Sequence, residues 1–314
     1  MNRRSFLLPL FLTATLGACS GGSGALGTVP PAQTAEPSVV QGSPDITPAA
    51  SPTDPTGSNA PSGAPSPAAG STIVRDYFFL AGPQGSAGVV PVLRDVPATK
   101  AVATAAMTAL LAGPTDREAA ARISTVIPAG TQLLDLAIAN GVATVDLSRE
   151  FESGGGSASV LGRLAQVVYT LTQFPSVKSV LFQVEGREVH AFGGEGAVLD
   201  GPVSRSDYAS VLPSIFVDRP AWGAALGNPG RVTGDADVFE ATFRITLLDG
   251  SGKQLVDQQA MATCGTGCRG TFDATIHYDV PKAGYGTLRV WDGSAKDGSP
   301  QDVREYSVWL TPAN

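Results

Sequence analysis

Residues 150–174, EFESGGGSASVLGRLAQVVYTLTQF, constrain the fold more than any other stretch. A glycine-rich loop runs straight into a helical pattern. Val160, Leu161, Leu164, Val167, Val168 and Leu171 recur at helical spacing, so one face is apolar and must be covered. Ser157 or Ser159 stands where a hydroxyl can cap the first turn. Phe174-Pro175 ends the helix, because a residue before proline disfavours the helical region. Strand-like runs flank it on both sides, which predicts a small α/β unit built around this helix.

The remaining signals place strands. Tyr77–Leu80 and Val89–Val92 read as short strands, and Thr99–Ala112 as a helix stopped by Gly113-Pro114. Asn140-Gly141 between two alternating runs is a strong hairpin cue, because both turn residues take positive φ. A two-residue turn sets Ile138 opposite Ala143, Leu136 opposite Val145 and Leu134 opposite Leu147, six residues predicted to form one buried face. The other face then sets Asp135 against Asp146, which destabilises a ladder unless water or a cation screens it. The pair is therefore the candidate metal site, although two ligands alone do not make a calcium site. A second hairpin is expected around Glu185-Gly186. The order β-β-α-β-β-α-β-β predicts an α+β layer structure with helices on one face of a mixed sheet. From about residue 212 onward, seven short strands separated by turns, without helical periodicity, predict a β-sandwich.

The N-terminus carries an address. Arg3-Arg4 precede a short apolar run, Phe6–Ala14, too short to span a bilayer. Leu16-Gly17-Ala18-Cys19 resembles a bacterial lipobox, which implies cleavage before Cys19 and lipidation of its thiol. Arg3-Arg4-Ser5-Phe6-Leu7 also resembles a twin-arginine export motif. Residues 1–18 are thus expected to be a signal peptide, and residues 19–72, rich in Pro, Ala, Ser and Gly, a disordered linker. As a flexible coil, about fifty residues reach about 40 Å. Formal charge is −7, and −9 after cleavage, (21 − 2) − 28. That balance argues against nucleic-acid binding, which needs a basic footprint.

Within residues 73–208, VPVLRDVP, AVATAAMTALLAGPT, IPAGTQLL, NGVATVDLS, GGGSASVLGRLAQVVYTLTQFPSVKSVLF and FGGEGAVLD together resemble the GerMN domain of bacterial envelope lipoproteins. The resemblance implies a fold like the ring-building motifs of secretion and sporulation complexes, with no catalytic residues. Within residues 212–311, IFVDRPAWGAALGNPGRVTGDADVFEATF, ATCGTGCRGTFDATIHYDV and GTLRVWDGSAKDGSP resemble the Gmad2 immunoglobulin-like domain.

Candidate chemistry is sparse. Cys264 and Cys268 lie four apart in an exported chain, where an oxidising compartment favours a disulfide over free thiols. Gly154, Gly155, Gly156 and Ser157 precede a helix N-terminus, where backbone N–H groups can hold an anion. Trp222 lies on the long Arg219–Arg231 connection, where an aromatic usually packs in the core or at an edge, and an exposed ring would mark a glycan or protein contact. His190 and His277 stand apart without a nucleophile motif. No cofactor is expected. The expectation is a non-enzymatic lipoprotein on the outer face of the cell membrane that binds peptidoglycan or an extracytoplasmic protein, related to germination and sporulation lipoproteins. The competing expectations are an accessory lipoprotein of a membrane sensor kinase and a peptidoglycan hydrolase using Glu150, Glu152 or Glu195. If Cys19 carries the anchor, Cys19→Ala releases the protein to the medium; membrane fractionation that finds the variant still bound contradicts the anchor.

Overall fold

The computed structural model of the chain describes residues 68–192 and 197–313. The signal peptide with Cys19, nearly all of the linker, and residues 193–196 with Glu195 lie outside the described residues. Among the described residues no helix is long and apolar enough to cross a membrane.

Strands β1 (Ser71–Ala81) and β2 (Ala87–Pro97) form a long antiparallel hairpin with Tyr77 opposite Pro91. It outruns the apolar runs that announced it, because its charged residues find partners. Arg75 meets Asp218, and Arg94 meets Glu118 through both carboxylate oxygens. Helix α1 (Val102–Leu111) buries Ala103, Ala106, Met107 and Leu110. A short α2 (Asp116–Ala120), missed in the sequence, opens on a capping box in which Thr115 and Glu118 satisfy each other's backbone N–H. Strand β3 (Ile123–Ser124) pairs with the end of β1.

Strands β4 (Leu133–Ala139) and β5 (Val142–Leu147) follow, joined at Asn140-Gly141 with both φ positive. After the helical turn Arg149–Glu152 comes α3 (Ser157–Leu171), then β6 (Ser179–Val184) and β7 (Arg187–Glu188). The strands divide into two sheets, β2-β1-β3 and a mixed β4-β5-β6-β7 in which β5 and β6 run parallel. The register near the Asn-Gly turn is as expected. The predicted buried face is half correct, however. Ala143, Val145 and Leu147 are fully buried, but Leu134 is 47% and Ile138 41% exposed. Strand β4 is an edge, and a bulge at Leu134 sets Leu133, not Leu134, opposite Leu147.

Helix α3 is buried on nearly every side. Its apolar stripe enters a continuous core with both sheets. Its polar stripe, Gln166 and Thr170, together with Gln173 in the turn that follows it, covers the free edge of β1. The Arg75 N–H donates to Gln173 Oε1 (2.8 Å) and Gln173 Nε2 donates back to Arg75 O (2.7 Å). The Tyr77 N–H donates to Thr170 Oγ1 (3.1 Å), and Gln166 Nε2 donates to Tyr77 O (3.0 Å). Gln166 Oε1 also accepts from the Val126 N–H at 3.0 Å. Close approach requires Gly162, whose added Cβ would lie 2.8 Å from the Phe79 ring. Gly156, and neither serine, stands at the N-cap position.

The second half holds β8 (Ile215–Arg219), β9 (Ala225–Leu226), β10 (Gly230–Ala236), β11 (Thr242–Leu248), β12 (Gln254–Met261), β13 (Gly270–Ile276), β14 (Gly284–Gly293) and β15 (Pro300–Leu310). They form sheets β13-β10-β8 and β12-β11-β14-β15-β9, an immunoglobulin-like pair. Strand β11 starts only at Thr242. Before it, Phe239–Ala241 forms a turn, with Glu240 and Ala241 at positive φ, that packs on the Gly265 loop.

Gln166→Ala leaves the buried Tyr77 carbonyl and the part-buried Val126 N–H without these partners. At about 1–3 kcal/mol for each unmade bond, it is expected to destabilise the fold by about 3 kcal/mol in denaturant unfolding. A loss under 1 kcal/mol would mean that α3 does not carry the β1 edge.

Candidate functional site

The two halves meet through a connected polar network. Arg75 and Tyr77 project from β1, Arg205 comes from the helical turn Arg205–Val211, and Asp218 comes from β8. Asp218 accepts from Arg75 Nη1 (2.9 Å) and from the Tyr77 hydroxyl (3.3 Å). The Arg205 guanidinium lies over the rings of Tyr77 (5.2 Å) and Tyr169 (4.8 Å). It donates to Thr172 Oγ1 (2.8 Å), Tyr169 O (3.1 Å) and the Tyr77 oxygen (3.2 Å). Burial pushes the Tyr77 hydroxyl above its ordinary pKa and that of Tyr169 up to about 12, so both stay protonated donors.

A second contact lies on the other side of β2. Trp222 pairs its backbone with Pro91 O and the Leu93 N–H, both at 2.9 Å. Arg117 of α2 reaches across, its guanidinium 4.0 Å from the centre of the Tyr285 ring and 5.3 Å from that of Trp222. Close approach at the joint requires Gly88, where an added Cβ would lie 2.6 Å from Pro213 N.

Beside the first network opens a cleft of about 890 Å³. Its floor is the face of β8, β10 and β13, and Arg205 forms one wall. Three arginines (Arg205, Arg219, Arg231) and three aspartates (Asp218, Asp235, Asp273) line it, together with Thr233, Thr263, Thr271 and the exposed Met261. Arg231 forks onto Asp273, and Arg269 binds Asp235 at 2.6 Å. Burial raises the Asp235 carboxyl above its usual range, against the pull of Arg269. The lining is thus charge-balanced on a chain of net charge −7.

Residues 77–190 match the family described as "Sporulation and spore germination" (Germane), and residues 214–299 the "Immunoglobulin-like domain of bacterial spore germination" (Gmad2). The chain carries a GerMN domain followed by a Gmad2 domain. Lipoprotein LpqB of Thermobifida fusca (strain YX) is 30% identical over 192 residues, a match covering 61% of this chain but only 28% of that protein. Among solved structures, the first GerMN domain of the sporulation protein GerM from Bacillus subtilis is 24% identical, over 43% of this chain and 99% of that one, with a TM-score of 0.37. A putative lipoprotein from Clostridium perfringens is 20% identical, over 47% and 96%, with a TM-score of 0.32.

The residues singled out in the sequence do not converge. In the GerMN domain, Gly154 and Gly155 have positive φ, and the loop's carbonyls turn onto buried Arg163. Its guanidinium donates to Phe151 O (2.6 Å), Ser153 O (2.9 Å) and Gly154 O (2.7 Å). The loop ahead of Gly156 and Ser157 is therefore tied down by carbonyls around a cation. Asp146 is opposite Asp135 as expected, but it accepts the Gly186 N–H at 3.0 Å. No cluster of three metal-ligating side chains occurs among the described residues. In the Gmad2 domain Cys264 and Cys268 are joined by a disulfide, with Cα atoms 5.8 Å apart. Trp222 is 5% exposed, so its ring meets Arg117 instead of solvent. His190 and His277 are exposed in separate domains. Hydrogen bonds, first from Ser148, hold the Glu150 carboxyl below its usual range, opposite to what a general acid needs.

Sequence reasoning missed Arg205, Arg117 and Asp76. The last is fully buried on β1, neither oxygen has a hydrogen-bond partner, and Arg94 Nε is 3.9 Å away. Burial raises its pKa to about 7; Arg94 opposes that and Glu118 adds to it. The native state therefore holds a proton that the unfolded chain releases from about pH 4 upward. Stability falls as pH rises from about 4 to about 7 and is flat above that, a span worth roughly 4 kcal/mol. Asp76→Asn is expected to be more stable than the parent at pH 8, with the gap closing toward pH 4. Equal melting temperatures of the two proteins at pH 8 would contradict this account of Asp76.

Proposed function

We propose that the protein is an extracytoplasmic, membrane-anchored binding module without catalytic activity, and that the cleft beside the GerMN–Gmad2 joint takes a wall component. The observation that carries this is the charge balance of a wide cleft whose side chains are held by both domains. A polyanion would leave its aspartates facing like charge, and a polycation its arginines. An uncharged polar chain, such as a glycan strand, can instead exchange hydrogen bonds with the threonines and ion-paired groups and rest on Met261. The lipobox at Cys19, the long linker, and the likeness to a protein named as a lipoprotein support the location.

The test is co-sedimentation of the chain carrying Cys19→Ser with isolated sacculi across a salt series. Binding is expected to persist at high salt, because a neutral ligand releases few counterions. Thr271→Trp, which fills the cleft from an exposed position on β13, is expected to remove most of it. No binding, or binding that ignores Thr271→Trp, overturns the wall assignment in favour of an extracytoplasmic protein.

A further inference from the structure

Strand β4 is the outermost strand of its sheet. In a two-residue hairpin the flanking residues, Ala139 and Val142, exchange hydrogen bonds, so the backbone groups of Leu136 and Ile138 turn to the open side. Natural edges are blunted by lysine, proline or several charges. The strand LLDLAIA carries only Asp135, and leaves Leu134 and Ile138 among the most exposed large apolar residues described. The outer strand β12 is polar by contrast, with Gln254, Gln258 and Gln259, and Asp257 held by Arg244.

We propose that β4 pairs antiparallel with β4 of a second copy about a two-fold axis at Ala137. The chain supplies its own complement in that register. Leu136 of each copy stands opposite Ile138 of the other, and these are the residues whose N–H and C=O face outward. Asp135 stands opposite Ala139, so no carboxylate faces a carboxylate across the new ladder. The mixed sheet becomes eight-stranded and continuous through the dimer, and its open edge is closed. No residue of β4 lines the cleft, so this association is independent of the proposed wall binding.

The test is sedimentation velocity of the chain carrying Cys19→Ser over a range of concentrations. A concentration-dependent dimer is expected, and Ile138→Lys at the exposed edge is expected to abolish it while leaving the melting temperature close to the parent's. Ala137→Cys fixes the register without relying on that variant. Across the axis the two Ala137 Cα atoms lie about 4.5 Å apart, within disulfide reach. Mild oxidation is therefore expected to give a covalent dimer. Asp135→Cys, whose copies lie about 13 Å apart, is expected to give none. A parent that stays monomeric at every concentration overturns the proposal. So does a dimer that survives Ile138→Lys, or one crosslinked equally through positions 135 and 137.

Discussion

The fold depends on how the open edge of β1 is satisfied. A strand edge buried in a core must find partners for its N–H and C=O groups, since each one left unmade costs about 1–3 kcal/mol. Here no strand covers the central part of that edge. Helix α3 and the turn after it do so with side-chain amides and a hydroxyl, Gln166, Thr170 and Gln173, bonded to Arg75 and Tyr77. The helix thereby belongs to both sheets of the GerMN domain. Its apolar stripe enters the shared core while its polar stripe completes a ladder.

The same two β1 residues carry the joint to the Gmad2 domain. With their backbones fixed by α3, the side chains of Arg75 and Tyr77 are aimed at Asp218. Arg205 is held over Tyr77 and Tyr169, and Tyr169 is itself part of α3. Edge satisfaction, joint and cleft wall are consecutive links of one network. The second contact, Arg117 against Tyr285 and Trp222, lies on a separate element, so the domains are held at two places and their relative rotation is restrained.

Much of this architecture was legible in the sequence. Asn140-Gly141 and Glu185-Gly186 mark their hairpins because few residue pairs tolerate two successive positive φ values. The apolar period of α3 is equally plain. What remained hidden is polar and long-range. Gln166 and Thr170 look like solvent-facing positions, and only the neighbouring strand edge turns them inward. Asp76 and Arg94 read as surface charges within apolar strands, although a charge in the middle of such a run is itself a signal of an internal partner. Arg205 and Asp218 lie 128 and 141 residues from Tyr77, a distance over which local patterning carries no information. Trp222 read as a ring on a connection, packed unless exposed, and its backbone bridge to β2 turns it inward.

The central claim is that the GerMN and Gmad2 domains form one body through the Tyr77–Asp218–Arg205 network and the Arg117 contact. Differential scanning calorimetry of the chain tests it most directly. The account predicts a single transition whose calorimetric and van't Hoff enthalpies agree, as for a single cooperative unit. Two resolved transitions, one for each domain, would mean that the domains unfold independently, and would contradict it.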